Sequence, residues 1–180
     1  MSDPAKGSPT TAPVPGDGAE QLSRSRVLLV SGKPAEAEAV LEALLAEQPE
    51  HPGALLLKAD MLLECREREG ALGLYQRAVA AAPRSSEALN GLARGLHALG
   101  RDTEALAAAE EARKLLAEGD NFRQTAPVYL TAVWCLRELR RYREALALAE
   151  EGLIRCPDAV LAHWASVVEE ELAEAEKERC

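Results

Sequence analysis

At 180 residues the chain can bury a core of ordinary domain size. Its 34 alanines and 28 leucines against 3% aromatics favour helix over strand. The net charge of −9, from 30 acidic and 21 basic residues, argues against nucleic acid, whose phosphates need clustered Lys and Arg, and reads as a solvated surface.

The chain opens with MSDPAKGSPTTAPVPGDG. These residues, 1–18, are rich in Pro, Gly, Ser and Thr and are expected to form a disordered tail. They contain no apolar core, so the reading is neither signal peptide nor anchor. No uncharged apolar run is long enough for a bilayer. A cytoplasmic protein with no membrane partner is therefore expected.

From about residue 19 the pattern is helical and interrupted at intervals. AEAVLEALLAEQP ends at Pro49 and ALGLYQRAVAAAP ends at Pro83, which is 83 − 49 = 34 residues later. Two further segments, ALAAAEEARKLLA (105–117) and ALALAEEGLIRCP (145–157), share the spacing of small and large residues, and the second restores the proline at Pro157. The stretches before them repeat as well: PGALLLKADMLLECRERE (52–69), SEALNGLARGLHALGRDTE (86–104) and APVYLTAVWCLRELRRYRE (126–144). Each carries apolar residues at helical spacing, such as Leu89, Leu92, Leu96 and Leu99. Turns are expected near Gly32, Arg66, Gly100 and Arg140, and helix ends near Pro49, Pro83 and Pro157, because proline offers no backbone donor. Ser85, Ser86 and Asp158 are placed to cap the helices that restart. The unit is helix, turn, helix, proline, restart. The last segment, from Asp158, reads as a helix with an apolar beginning and an acidic end.

These features resemble the tetratricopeptide repeat family, whose unit is 34 residues long. In that register the repeats span 18–51, 52–85, 86–125 and 126–159, with a C-terminal capping helix over 158–178. The small residue at position 8 falls on Ser25, Ala59, Ala93 and Val133. The alanine at position 20 falls on Ala37, Ala71, Ala105 and Ala145. The resemblance implies an all-α fold, an α-solenoid of four helix-turn-helix repeats plus the capping helix. Two departures stand out. Gln21 and Arg24 take usually apolar places in repeat 1, as suits a terminal unit. The step from repeat 3 to repeat 4 is 126 − 86 = 40 residues. The excess is expected to lengthen the second helix of repeat 3 through Leu115 and Leu116, then to turn at Gly119 to Asn121.

The resemblance also implies a protein-binding adaptor or scaffold whose first helices line a concave groove. By that analogy the inward residues are Arg26, Asp60, Asn90, Arg94, His97, Trp134 and Arg137. Asn90, Arg94 and His97 share one helical stripe. Such residue types suit a partner peptide or helix, and the two cations Arg94 and Arg137 favour an acidic one. Trp164 is expected to pack. Some family members clamp a chaperone's C-terminal carboxylate with Lys and Asn residues in fixed places. Leu22, Arg26, Leu57, Glu87 and Gly91 stand there instead, so that clamp is not expected.

No G-x-G-x-x-G, P-loop or G-x-S-x-G is present, and no catalytic set is expected. Cys65, Cys135, Cys156 and Cys180 form no C-x-x-C pair, and His51, His97 and His163 are far apart in sequence. No metal or cofactor is expected, and Cys65 and Cys135 are read as small packed hydrophobes. The alternative function is self-association through the terminal helices, giving a homo-oligomeric scaffold.

Overall fold

The computed structural model describes residues 18–118 and 122–178, which form nine helices and no strand. They are α1 (Gly18–Val30), α2 (Pro34–Glu47), α3 (Pro52–Glu64), α4 (Arg68–Ala81), α5 (Ser86–Ala98), α6 (Asp102–Glu118), α7 (Phe122–Glu138), α8 (Tyr142–Arg155) and α9 (Ala159–Lys177). The expected tail over residues 1–17, the turn at 119–121 and Cys180 lie outside the described residues. Gly18, assigned to the tail by composition, opens α1 and is buried.

The chain divides into two compact units, Met1–Gln48 and Pro49–Cys180. The first contains α1 packed on α2, and the second contains α3 to α9.

Within each pair the two helices are joined by three residues, and the middle one has a left-handed backbone: Gly32 (φ 72), Arg66 (φ 65), Gly100 (φ 72) and Arg140 (φ 57). The hydrogen bonds are the same each time. The amide of the left-handed residue donates to the carbonyl three back, as Gly100 does to His97 (2.9 Å). The next amide donates five back, as Arg101 does to Leu96 (3.0 Å). Lys33 to Leu28, Glu67 to Leu62 and Arg141 to Leu136 repeat this bond at 2.9 Å. This is the Schellman arrangement, which satisfies two carbonyls that a helix end leaves orphaned.

The second helices of three pairs end just before the prolines. The capping amides of Gln48, Ala82 and Cys156 donate to Leu44, Ala78 and Gly152, and Pro49, Pro83 and Pro157 then prevent continuation. The restarts are capped by side chains. Ser85 accepts from the Ala88 amide at 3.2 Å, and Asp158 accepts from Val160 and Leu161 at 2.9 Å. Ser86 is the first helical residue rather than the cap. His51 caps α3 through Nδ1, a role that its residue type did not signal.

The insertion lengthens α7 as well as the expected α6. α6 and α7 have 17 residues each, against 14 in α4 and 13 in α5. Pro127 sits inside α7, and the Thr131 hydroxyl donates to its carbonyl at 3.0 Å. Leu115 and Leu116 pack beside Leu89, Ala112 and Val128, so the extension of α6 buries apolar surface.

The small residues explain the close pairing. Ala37, Ala71, Ala105 and Ala145, with Ser25, Ala59, Ala93 and Val133, are fully buried. In the second unit α5 lies against the ring of the buried Tyr75 through two glycines. A Cβ on Gly91 would stand 2.7 Å from Tyr75 Cδ1, and one on Gly95 would stand 2.8 Å from Cδ2. Glycine there exchanges helix propensity for room. Cys65 is exposed, contrary to its reading as a packed hydrophobe, because it falls at the solvent-facing C-terminal end of α3. Cys135 and Cys156 are buried.

Candidate functional site

In the second unit α3 touches α5, α5 touches α7, and α7 touches α9. Among the described residues, the backbones of α4 and α6, and of α6 and α8, do not approach in this way, although the Arg113 side chain of α6 extends to Glu151 of α8 at 3.3 Å. Helices that crowd on one side and spread on the other make the crowded side concave. The first helices therefore line the inner face of this unit, and Asp60, Asn90, Arg94, His97, Trp134 and Arg137 all belong to them. Arg26 is an exposed residue of α1, in the first unit.

Five of the six residues in the second unit fall into two contact groups, one helical turn apart along α5. Arg94 donates to Asp60 Oδ1 at 2.9 Å, and Tyr75 donates its hydroxyl to the same oxygen. Burial, reinforced by the Asp60 charge, pushes the Tyr75 hydroxyl far above its ordinary range, so it stays a donor. One turn further along α5, the His97 ring stacks on Trp134 with centroids 6.2 Å apart and planes at 20°. Trp134 meets the edge of Trp164 at 5.9 Å, and the Arg137 guanidinium lies 5.5 Å over the Trp164 ring. Arg137 is fixed to Glu171 by bonds of 2.5, 2.8 and 3.0 Å and to Glu138 by one of 2.9 Å. The bonds to Glu171 hold its pKa above the usual arginine value.

Asn90 is different. It is only 5% exposed, inside the packing of α5, and its Oδ1 is enclosed without a hydrogen-bond partner. Trp134 Nε1 is enclosed in the same way. Asn90 is thus a core position rather than a surface contact, because Tyr75 and the two glycines draw α5 inward at that level.

The structure also alters the electrostatic reading. Arg94 and Arg137, which the sequence presents as two available cations, are both neutralised within the fold by Asp60 and Glu171. Sequence reasoning missed Tyr75, Asp102 and Glu171, and it assigned Trp164 to packing. Trp164 does pack against the core cluster, and it also joins the strip. A signal for Glu171 was present: it lies 34 residues after Arg137, as Arg94 lies 34 after Asp60.

His97 Nδ1 is 2.6 Å from Asp102 Oδ1. Beside them is Cys135, which is fully buried. Burial, with the Asp102 charge added, pushes its thiol up to about 12, so it is no nucleophile by itself. A cleft of 190 Å³ lies between the α7–α8 turn and α9, lined by residues that include Arg140, Arg143, Leu172 and Glu176. It is smaller than the roughly 300–1,000 Å³ of small-molecule sites and lies away from the strip.

A family model described as the tetratricopeptide repeat matches residues 22–83 and 66–120, together more than half of the chain. Solved structures agree on the fold. TTC0263, a thermophilic TPR protein of Thermus thermophilus, is 20% identical with a TM-score of 0.74, over 87% of this chain and 83% of that one. PilF of Pseudomonas aeruginosa is 18% identical with a TM-score of 0.76, over 87% and 69%. The TPR domain of Arabidopsis OM64 is 20% identical with a TM-score of 0.58, over 69% and 96%. No curated protein matches the sequence.

Proposed function

The chain belongs to the tetratricopeptide repeat family, and from that premise we propose that it is a non-enzymatic scaffold that holds a partner protein segment on the first-helix face of α3, α5 and α7. Proteins of this family generally bind other proteins. One observation carries the reading further. Two contact groups one helical turn apart on α5, Asp60–Arg94 and His97–Trp134–Trp164–Arg137, make a strip along the first helices of an otherwise Ala- and Leu-rich unit. Aromatic and Arg side chains held rigid by neighbours are the usual anchors of an interface.

The partner segment, peptide or helix, engages Arg94, Trp134 and Arg137. Each cation already has a carboxylate, so an acidic partner would compete with Asp60 and Glu171 rather than fill an empty site. The reading includes a cytoplasmic setting, in keeping with free thiols at Cys65, Cys135 and Cys156. No described helix is long and apolar enough to cross a membrane.

Partner capture from the source cell tests this, using the chain beside Trp134→Ala and Arg94→Ala/Arg137→Ala variants. Loss of the same captured protein in both variants, with helical circular dichroism intact, is the expected result. Equal capture by all three would overturn the groove assignment. Self-association through the terminal helices is the second reading, favoured by exposed Val30 (91%) on α1 and Val160 (52%) on α9. A monomer mass in light scattering would end it.

A further inference from the structure

We propose that His97, Asp102 and Cys135 form a binding site for one divalent transition-metal ion of the zinc class, through an imidazole nitrogen, a carboxylate oxygen and a thiolate sulfur. The three residues come from α5, from the first position of α6 and from α7. One ligand atom from each lies within 4.8 Å of the other two. A tetrahedral ion with bonds of about 2.0–2.3 Å holds its ligands roughly 3.3–3.8 Å apart. An ion would therefore replace the 2.6 Å His97–Asp102 hydrogen bond, opening that pair by about 0.7 Å, while the remaining separations, none above 4.8 Å, close by up to about 1 Å; rotation of the half-buried His97 and Asp102 side chains supplies both adjustments.

The donor set is selective. Mixed nitrogen, oxygen and sulfur suits zinc and its neighbours, whereas calcium and magnesium require oxygen throughout. Three protein ligands leave a fourth position for water or for a partner's side chain, as in zinc sites that stay open. The surroundings are those of a built site. Cys135 is fully enclosed, the Asp102 side chain is 15% exposed, and the Trp134 ring stacks beside the imidazole with centroids 6.2 Å apart.

The repeat itself does not demand this set. At the place of His97 the other units have Leu29, Leu63 and Arg137. At the place of Asp102 they have Pro34, Arg68 and Tyr142, and at the place of Cys135 they have Val27, Met61 and Gly95. Among the described residues the three donors meet once, where repeat 3 joins repeat 4. On binding, the thiol bond to hydrogen is exchanged for a bond to the metal and the proton leaves to solvent. No electron is transferred. The inference does not depend on a partner segment, and its test uses none.

The test is titration of the full, untagged chain with cobalt(II) followed by zinc(II). One cobalt per chain, a thiolate-to-cobalt charge-transfer absorption and displacement by zinc are expected. Cys135→Ser should abolish that absorption. His97→Ala and Asp102→Asn should weaken binding by at least about 10–100-fold, the cost of losing even an outer partner of a ligand. Cys135 is a core residue, so its variant is checked by circular dichroism. His97 is only half-buried, and its variant carries the test if Cys135→Ser unfolds. The proposal is overturned if wild type gives no such absorption. It is equally overturned if the absorption is lost with Cys65→Ser, Cys156→Ser or Cys180→Ser instead, or if His97→Ala binds as tightly as wild type.

Discussion

Arg94 and Asp60 are 34 residues apart in sequence and 2.9 Å apart in space. The period of the repeat is thereby turned into an ion pair between the same positions of successive units. Arg137 and Glu171 repeat the one-period spacing two steps further along, between repeat 4 and α9. The Arg94 and Asp60 side chains are 36% and 37% exposed, so water screens the attraction. A double-mutant cycle by chemical denaturation should give a coupling of about 0.5–1 kcal/mol. Asp60→Ala should cost more than Arg94→Ala, by about 1–3 kcal/mol, because it also leaves the buried Tyr75 hydroxyl without its acceptor. Equal costs would mean that the hydroxyl finds another partner.

Two neighbouring helices should respond to the same substitution with opposite sign. Gly91→Ala puts a methyl 2.7 Å from the Tyr75 ring, which the packed core cannot move aside freely. A net loss of about 1–3 kcal/mol is expected, despite better helix propensity. Gly73, on α4, meets nothing within 4 Å. Gly73→Ala should therefore gain about 0.5–1 kcal/mol from propensity alone. Urea midpoints of the two variants, with unchanged slopes, check both signs.

The turns allow a matched exchange. Gly100 and Arg66 occupy equivalent places with φ of 72 and 65, but only one is the residue that suits that backbone. Gly100→Ala should cost about 1 kcal/mol, while Arg66→Gly should gain from a few tenths to about 1 kcal/mol. Thermal melts that moved both variants in one direction would contradict the shared geometry.

The thiols should separate by rate. Cys65 is exposed, and Cys135 is enclosed with its thiol pushed up to about 12. A raised thiol pKa means less thiolate at any pH below it, so reactivity falls for two reasons at once. In single-cysteine variants at mildly alkaline pH, Cys65 should label promptly and Cys135 only on unfolding. Prompt native labelling of Cys135 would show that the junction of α5, α6 and α7 opens.

Much of the fold could be read from the chain because the repeat states each signal several times. Gly32 and Gly100 mark the left-handed turn by residue type, and the period carries the assignment to Arg66 and Arg140, where type alone would fail. The site is harder to read because its residues act through partners. Taken singly, Asp60 and Arg94 look like contacts for a ligand, although their separation by one period already pairs them. Asn90 has the polarity of a surface residue, but Gly91 and Gly95 pull its helix onto Tyr75 and bury it. Asp102 and Cys135 carry no spacing signal, since their proximity exists only after three helices have packed.

Fluorescence of a captured partner's complex tests the central claim most directly. Both tryptophans of the chain, Trp134 and Trp164, lie on the strip, so no other region contributes to tryptophan emission. Saturating the chain with a tryptophan-free partner segment should shift the emission and reduce quenching by acrylamide, with both effects lost in Arg94→Ala/Arg137→Ala. A partner that binds the intact chain while emission and quenching stay unchanged would show that it binds away from the first-helix face.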